Sequence, residues 1–302
     1  ENAIFVHLTL VPFITAAGEL KTKPTQHSVR ELMQIGIQPH VLICRSEHPL
    51  SDEIRRKIAL FTNVEIDGVI EARDVETIYE VPLSLKKQRL DDVIAERLGL
   101  DLPQPDMTSW TAMVNRVKHP SAGTAKIAVV GKYTDHIDSY KSIQESLIHG
   151  GIANDVKADI HWLSSEVFDN GEGVEKLKEY DGLLIPGGFG PRGVEGMLET
   201  IRWARENQMP FFGICLGLQC AVIEFARNVC GLEGSHSSEF AEASPDPVIC
   251  LLDSQLQVTT MGGTMRLGAY PCALGEGTKA REIYGVDEIS ERHRHRFEVN
   301  NE

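Results

Sequence analysis

Short apolar, β-branched runs alternate with amphipathic segments along the whole chain, and this alternation constrains the fold more than any other feature. Runs such as VLIC at 41–44 and IAVV at 127–130 carry no polar residue at every second position. Such strands must be covered on both faces, which is the condition of strands in a parallel sheet flanked by helices. The first part predicts strands over 4–10, 41–45 and 68–72, with helices over 26–35, 52–62 and 83–98. Residues 99–124 hold Pro103, Pro105, Pro120 and Gly123 around a polar-aromatic middle at Trp110, the composition of a connecting segment with one helical stretch inside it. A fresh strand opens at Lys126, and helices over 139–149, 194–207 and from 216 alternate with strands over 158–163, 182–185 and 210–214. After Phe240 the segments shorten and lose helical period. The fold class is α/β, with two doubly wound parallel-sheet domains: residues 1–110, a linker over 111–125, and residues 126–302.

Charge excludes one class of partner. Lys and Arg number 30 against 44 Asp and Glu, a formal net charge of −14, so no basic stripe is available for nucleic acid. A nucleotide would have to be held by a local cluster of cations. No apolar run reaches the roughly 20 residues that span a bilayer, and no leader pattern opens the chain, so no membrane partner is expected. The chain starts at Glu1 with a strand already in progress, and is expected to begin and end inside a longer protein. Its six cysteines form no CxxC pair and sit mostly in apolar stretches, which suits reduced thiols in a cytoplasmic protein and gives no structural zinc site.

The most informative stretch is FFGICLGLQ at 211–219. A buried strand meets a helix with glycine on both sides of one cysteine, G-x-C-x-G, the thiol form of a nucleophile elbow. The turn sets the Cys215 sulfur at a helix N-terminus, where the dipole favours thiolate, and aims the Leu216 N–H at an oxyanion. A lone cysteine between packing glycines is structural by default; strand, both glycines and helix together reverse that. Cys220, one turn on, reads as core. PGGFGPRG at 186–193 is a glycine-rich strand-to-helix turn without the Lys-Ser/Thr of a phosphate loop. Weak alone, beside a thiol it becomes the second oxyanion donor, through Gly188.

Together these two motifs resemble the class I (triad) glutamine amidotransferases. The resemblance implies that Cys215 attacks the side-chain amide of L-glutamine, forms a thioester and releases ammonia. The His-Pro-Glu motif that supplies the family's other catalytic residues does not occur in this chain and is expected beyond Glu302. The stretches ERHRHRFEVN at 291–300, SSEF with Glu239, GGTMRLG at 262–268 and KTKPTQHS at 21–28 narrow the resemblance to the CTP synthases. It implies that glutamine is held by the Gly188 loop, by Leu216, Gly217, Leu218 and Gln219, by Glu239 against the ammonium, and by Arg296 against the carboxylate. It further implies UTP and CTP binding at Lys21, Thr22, Lys23, Pro24, Thr25 and Gln26, with Lys57, and ATP contacts at Arg73, Asp74 and Val75. An isolated KxK or Arg-Asp pair is usually a solvated turn; here the lysines supply the local anion trap that the acidic net charge demands.

What the family carries is then expected: a P-loop-type synthetase portion ahead of a flavodoxin-like amidotransferase domain, catalysing amination of UTP to CTP, the last step of de novo CTP synthesis. Mg2+ and ATP serve the synthetase half, with the metal ligands outside this chain. GTP activates, CTP feeds back, and a homotetramer or filaments form. The stretch 253–262 is shorter than expected, as if a loop were left out. Two other readings stay open: a glutaminase domain serving another synthetase or acting as a γ-glutamyl hydrolase, and a catalytically dead structural or regulatory remnant.

Overall fold

Strand β4 (Val41–Ser46) shows why the first part folds as it does. Its alternate residues enter two separate cores: Leu42 and Cys44 join Val29, Ile58 and Val69 on one face, and Val41 joins Ile70, Leu90 and Val93 on the other. Each fully buried aliphatic side chain contributes about 1.5–3 kcal/mol of burial. The computed structural model describes residues 3–252, 255, 258 and 266–300. The chain divides into two compact units, residues 1–121 and 122–302.

In the first unit β1 (Val6–Leu10) is followed by the short β2 (Phe13–Ile14) and β3 (Glu19–Leu20), which pair antiparallel. Then come α1 (Lys23–Gln34), β4, α2 (Asp52–Thr62), β5 (Val69–Arg73), α3 (Val81–Lys87), α4 (Leu90–Leu98) and α5 (Thr108–Lys118). The sheet is parallel in the order β1-β4-β5. Helix α2 is set by local chemistry: the Ser51 hydroxyl accepts the Ile54 N–H at 3.3 Å, Asp52 and Glu53 complement the dipole, and Asn63 closes it in the left-handed conformation. Helix α1 begins three residues earlier than periodicity predicts, because Pro24 supplies a ready-made first turn.

The helix expected over 83–98 is two helices. The break has a cause: Gln88 turns inward, where its amide accepts the Glu71 N–H at 2.8 Å and donates to the Glu71 carbonyl at 2.7 Å. One side chain thus pairs both backbone groups on the outer edge of β5, and Arg89 takes φ +62° to restart the chain as α4.

The second unit runs β6 (Thr124–Gly131), α6 (Lys141–Asn154), β7 (Lys157–Ser164), β8 (Gly182–Ile185), α7 (Val194–Glu206), β9 (Phe211–Gly213) and α8 (Leu216–Asn228). Its four-stranded sheet is parallel in the order β7-β6-β8-β9. Beyond it lie β10 (Ser235–Ser237), β11 (Asp246–Leu251), β12 (Arg266–Ala273), α9 (Lys279–Tyr284), β13 (Glu288–Arg294) and β14 (Phe297–Val299). These form a mixed sheet β10-β11-β14 and an antiparallel pair β12-β13. The core sets Ala128, Val130, Leu183 and Ile185 against Met197 and Ile201 of α7 and Leu216, Cys220 and Ile223 of α8. The stretch 253–262, apart from 255 and 258, and the first residues of the GGTMRLG motif fall outside the described residues. No helix among the described residues is long and apolar enough to cross a membrane.

Candidate active site

The parallel sheet of the second unit delivers three strand ends to one place, the carboxyl edge where open α/β sheets place their ligands. After β9 the chain makes the turn expected of an elbow: Cys215 stands at φ +54° and ψ −107°, directly ahead of α8. Both flanking glycines are required by close packing. A Cβ on Gly213 would fall 2.6 Å from the backbone of Gly217, and one on Gly217 would fall 2.1 Å from the Ile185 carbonyl oxygen. The strain at Cys215 is thus held by a turn that no larger neighbour allows.

The glycine-rich turn after β8 lies against the sulfur. A Cβ built on Gly187 would be 3.3 Å from the Cys215 Cβ and 3.7 Å from its Sγ, and one on Gly188 would be 3.3 Å from Leu216. Thiol and turn share a cleft of about 400 Å³, mouth included, lined by Gly188, Phe189, Cys215, Gln219, Glu239 and the segment 294–297. Glu239 fixes the far side of the turn, its carboxylate accepting the Gly190 N–H at 3.3 Å.

Of the residues expected around glutamine, Gly188, Cys215, Gln219, Glu239 and Arg296 meet in this cleft. Leu216 contributes its backbone N–H, which bonds the thiol, while its side chain is core. Gly217 packs under the elbow, and Leu218, 45 % exposed, does not line the cleft. Gln219 is tied down, donating from Nε2 to the Phe297 carbonyl at 2.9 Å, which locks the 294–297 segment to α8.

The thiol itself departs from expectation. Burial pushes it above its ordinary range, the Leu216 N–H draws it back, Glu239 and Glu298 push it up again, and Arg294 lowers it. The helix N-terminus acts in the direction expected, but desolvation is larger. Ionisation of Cys215 therefore calls for a base or for substrate. Cys220 and Cys44 are buried and pushed up to about 12, which makes them inert core thiols, and none of the six cysteines is in a disulfide.

Sequence reasoning missed Lys132. It is 5 % exposed, and its ammonium donates to the Phe189 carbonyl at 3.2 Å and to that of Gly190, 5.7 Å from the Phe240 ring centroid. Desolvation lowers its pKa. Lys132 thereby pins the glycine turn from below. Its signal was its place, one residue past the end of β6.

In the first unit the expected nucleotide residues lie at strand ends. Thr22 and Thr25 are buried: the Thr25 hydroxyl donates to the Leu10 carbonyl at 2.9 Å, and Gln26 donates to the Thr22 hydroxyl at 3.0 Å. These three build the turn, leaving Lys23 and Pro24 exposed at the start of α1. Lys21 pairs with Glu19, which Lys57 also draws below the usual carboxylate range, so Lys21 and Lys57 converge on one acidic group. Asp74 pairs with Arg45 at 2.6 Å, while Arg73 and Val75 stand exposed beside it at the end of β5.

An elbow thiol, a glycine turn facing it, and a carboxylate and guanidinium across one cleft define an acyl-transfer site of the cysteine amidotransferase class. Residues 135–302 match the model of the family described as glutamine amidotransferase class-I, and the chain belongs to that family. Residues 1–100 match the CTP synthase N-terminus. Along its whole length the chain is 55 % identical to the CTP synthase of Methanocaldococcus jannaschii and 54 % identical to that of Clostridium perfringens, covering 57 % and 56 % of those proteins. It thus spans little more than half the length of the curated relatives it matches. A solved Trypanosoma brucei CTPS glutaminase domain with bound acivicin superposes with a TM-score of 0.54 at 38 % identity, over 58 % of this chain and 68 % of that one.

Proposed function

We propose that this chain is a portion of a CTP synthase, carrying its glutamine-hydrolysing site and its pyrimidine-nucleotide lysines. The observation that carries this reading is the strained Cys215 elbow facing the Gly187–Gly188 turn, in a cleft that ends in Glu239 and Arg296. The Cys215 thiolate attacks the side-chain carbonyl carbon of glutamine. The tetrahedral oxyanion takes hydrogen bonds from the backbone N–H groups of Leu216 and Gly188; the proton given up when the thiol ionises passes to the departing nitrogen, and collapse expels ammonia and leaves a thioester. Water then releases glutamate and returns the thiol. Glu239 receives the substrate ammonium and Arg296 its carboxylate, which orients the amide over the sulfur. Lys132 keeps the glycine turn in register with the elbow.

In the whole protein the ammonia aminates UTP that ATP has activated. Lys21, Lys23 and Lys57 would hold the UTP or CTP phosphates, and Arg73, Asp74 and Val75 would meet ATP. Mg2+ supplies charge neutralisation on the phosphates, with its ligands outside this chain. GTP activation, feedback by CTP, and assembly into tetramers or filaments belong to the same proposal.

Two measurements test it. Acivicin, an electrophilic glutamine analogue, should label Cys215 alone, read by peptide mass spectrometry, and Cys215→Ala should abolish the label. UTP or CTP at millimolar concentration should raise the melting temperature by mass action, and Lys21→Ala with Lys23→Ala should remove the shift. Labelling without any nucleotide shift would instead favour a glutaminase serving another synthetase. In the protein extended to the length of its relatives, Cys215→Ala should end glutamine-dependent CTP formation and spare ammonia-dependent formation; loss of both with the fold intact would sink the division of roles.

A further inference from the structure

The segment joining β13 to β14 carries a group that the glutaminase chemistry does not use. His293 Nε2, His295 Nδ1 and Glu298 Oε2 form a nearly equilateral triangle, with separations of 2.8 Å from His293 to Glu298, 3.0 Å from His295 to Glu298 and 3.0 Å between the two histidines. Proton counting shows that this cannot be a set of three hydrogen bonds. Each of the three atoms carries at most one proton. If both nitrogens are protonated, two donors face each other across 3.0 Å. If only one is, the other nitrogen turns a lone pair on the carboxylate oxygen. With the carboxylate ionised, every protonation state of the two imidazoles therefore sets one of the three contacts like against like.

A cation removes the conflict, because all three atoms then present lone pairs to a single point. The edges fit as well: one face of an octahedral ion with bonds of roughly 2.1 Å spans about 3.0 Å between donors. The remaining Glu298 oxygen, Oε1, accepts the Val299 N–H at 3.2 Å, an outer contact that aims the carboxylate. All three residues are partly buried and close in sequence, and β13 and β14 hold them from either side.

We propose that His293, His295 and Glu298 form a facial two-histidine, one-carboxylate site for a divalent first-row transition-metal ion. Because His295 also lines the thiol cleft, an ion there fixes the 294–296 segment at the rim of the glutamine site. Arg294 and Arg296 border the group and temper its affinity. Two imidazoles favour Zn2+ or Co2+ over Mg2+, which prefers an all-oxygen shell.

The test is titration of the untagged, metal-free chain with ZnCl2 by calorimetry and with CoCl2 by visible absorption. One ion per chain is expected, with a nitrogen and oxygen cobalt spectrum lacking any sulfur-to-metal band. His293→Ala and Glu298→Gln should each weaken binding at least tenfold, while Cys215→Ala leaves it unchanged. Should either ligand variant fold poorly, proton NMR of the wild type decides: Co2+ should shift or broaden the ring signals of two histidines among the eleven. Uptake unaffected by both ligand variants, a sulfur-to-cobalt band, loss of binding in Cys215→Ala, no saturable uptake, or no selective histidine effect would each overturn the site.

Discussion

At Gly217 one hydrogen atom separates a working elbow from a collision. Gly217→Ala would drive a methyl into the Ile185 carbonyl, a rigid backbone group at the end of a central strand. A loss of about 2–3 kcal/mol is expected, read as a lower melting temperature, with acivicin labelling reduced because the elbow must open to admit the methyl. The core thiols give a second residue-scale prediction. Cys44 and Cys220 rise from 9.0 to about 12 on folding, so the folded state binds their protons more tightly than the unfolded chain. Their contribution to stability is complete below pH 9 and is lost as pH climbs from 9 toward 12. Melting temperature should fall across that window, and Cys44→Ala with Cys220→Ala should flatten the slope. The elbow was legible in the sequence because its glycines, cysteine and helix start lie within a few residues of one another. Lys132 was not: its partners, Phe189 and Gly190, lie 57 and 58 positions away, and only the topology brings them together. The conflict among His293, His295 and Glu298 was hidden for another reason, since the motif names the residues but not which nitrogens face inward.

At the scale of elements, the alternating apolar runs gave the strands and their parallel pairing, because burial on both faces leaves a sequence little other choice. What they could not give was the interruption at Gln88. Helical period runs straight through 83–98, and the competing interaction is a side-chain amide answering the open edge of β5. Gln88→Ala should therefore cost about 1–3 kcal/mol, from the Glu71 N–H and carbonyl left without their partner. Circular dichroism during thermal unfolding measures the loss. Gln88→Glu should recover only part of it, since a carboxylate accepts from the N–H but cannot donate to the carbonyl.

Across the whole molecule, the division at 121–122 is a backbone fact with a measurable consequence. His119, Ser121, Ala122, Gly123 and Thr124 are exposed, and Gly123 takes φ +96°. Brief digestion with a broad-specificity protease should cut first near this stretch, yielding two fragments that resist further cleavage, with the Cys215 label on the larger. A ladder of cuts spread through both units would contradict this picture.

The first unit's sheet also has a direction built into it. With Gln88 occupying Glu71 and the Arg55 guanidinium donating to the Val69 carbonyl at 2.7 Å, side chains take up the middle of the outer rim of β5, where an incoming strand would pair. Extension of this ribbon, by a neighbouring stretch of polypeptide or by a stray molecule, is hindered on that flank. One glutamine thus acts as a bookend.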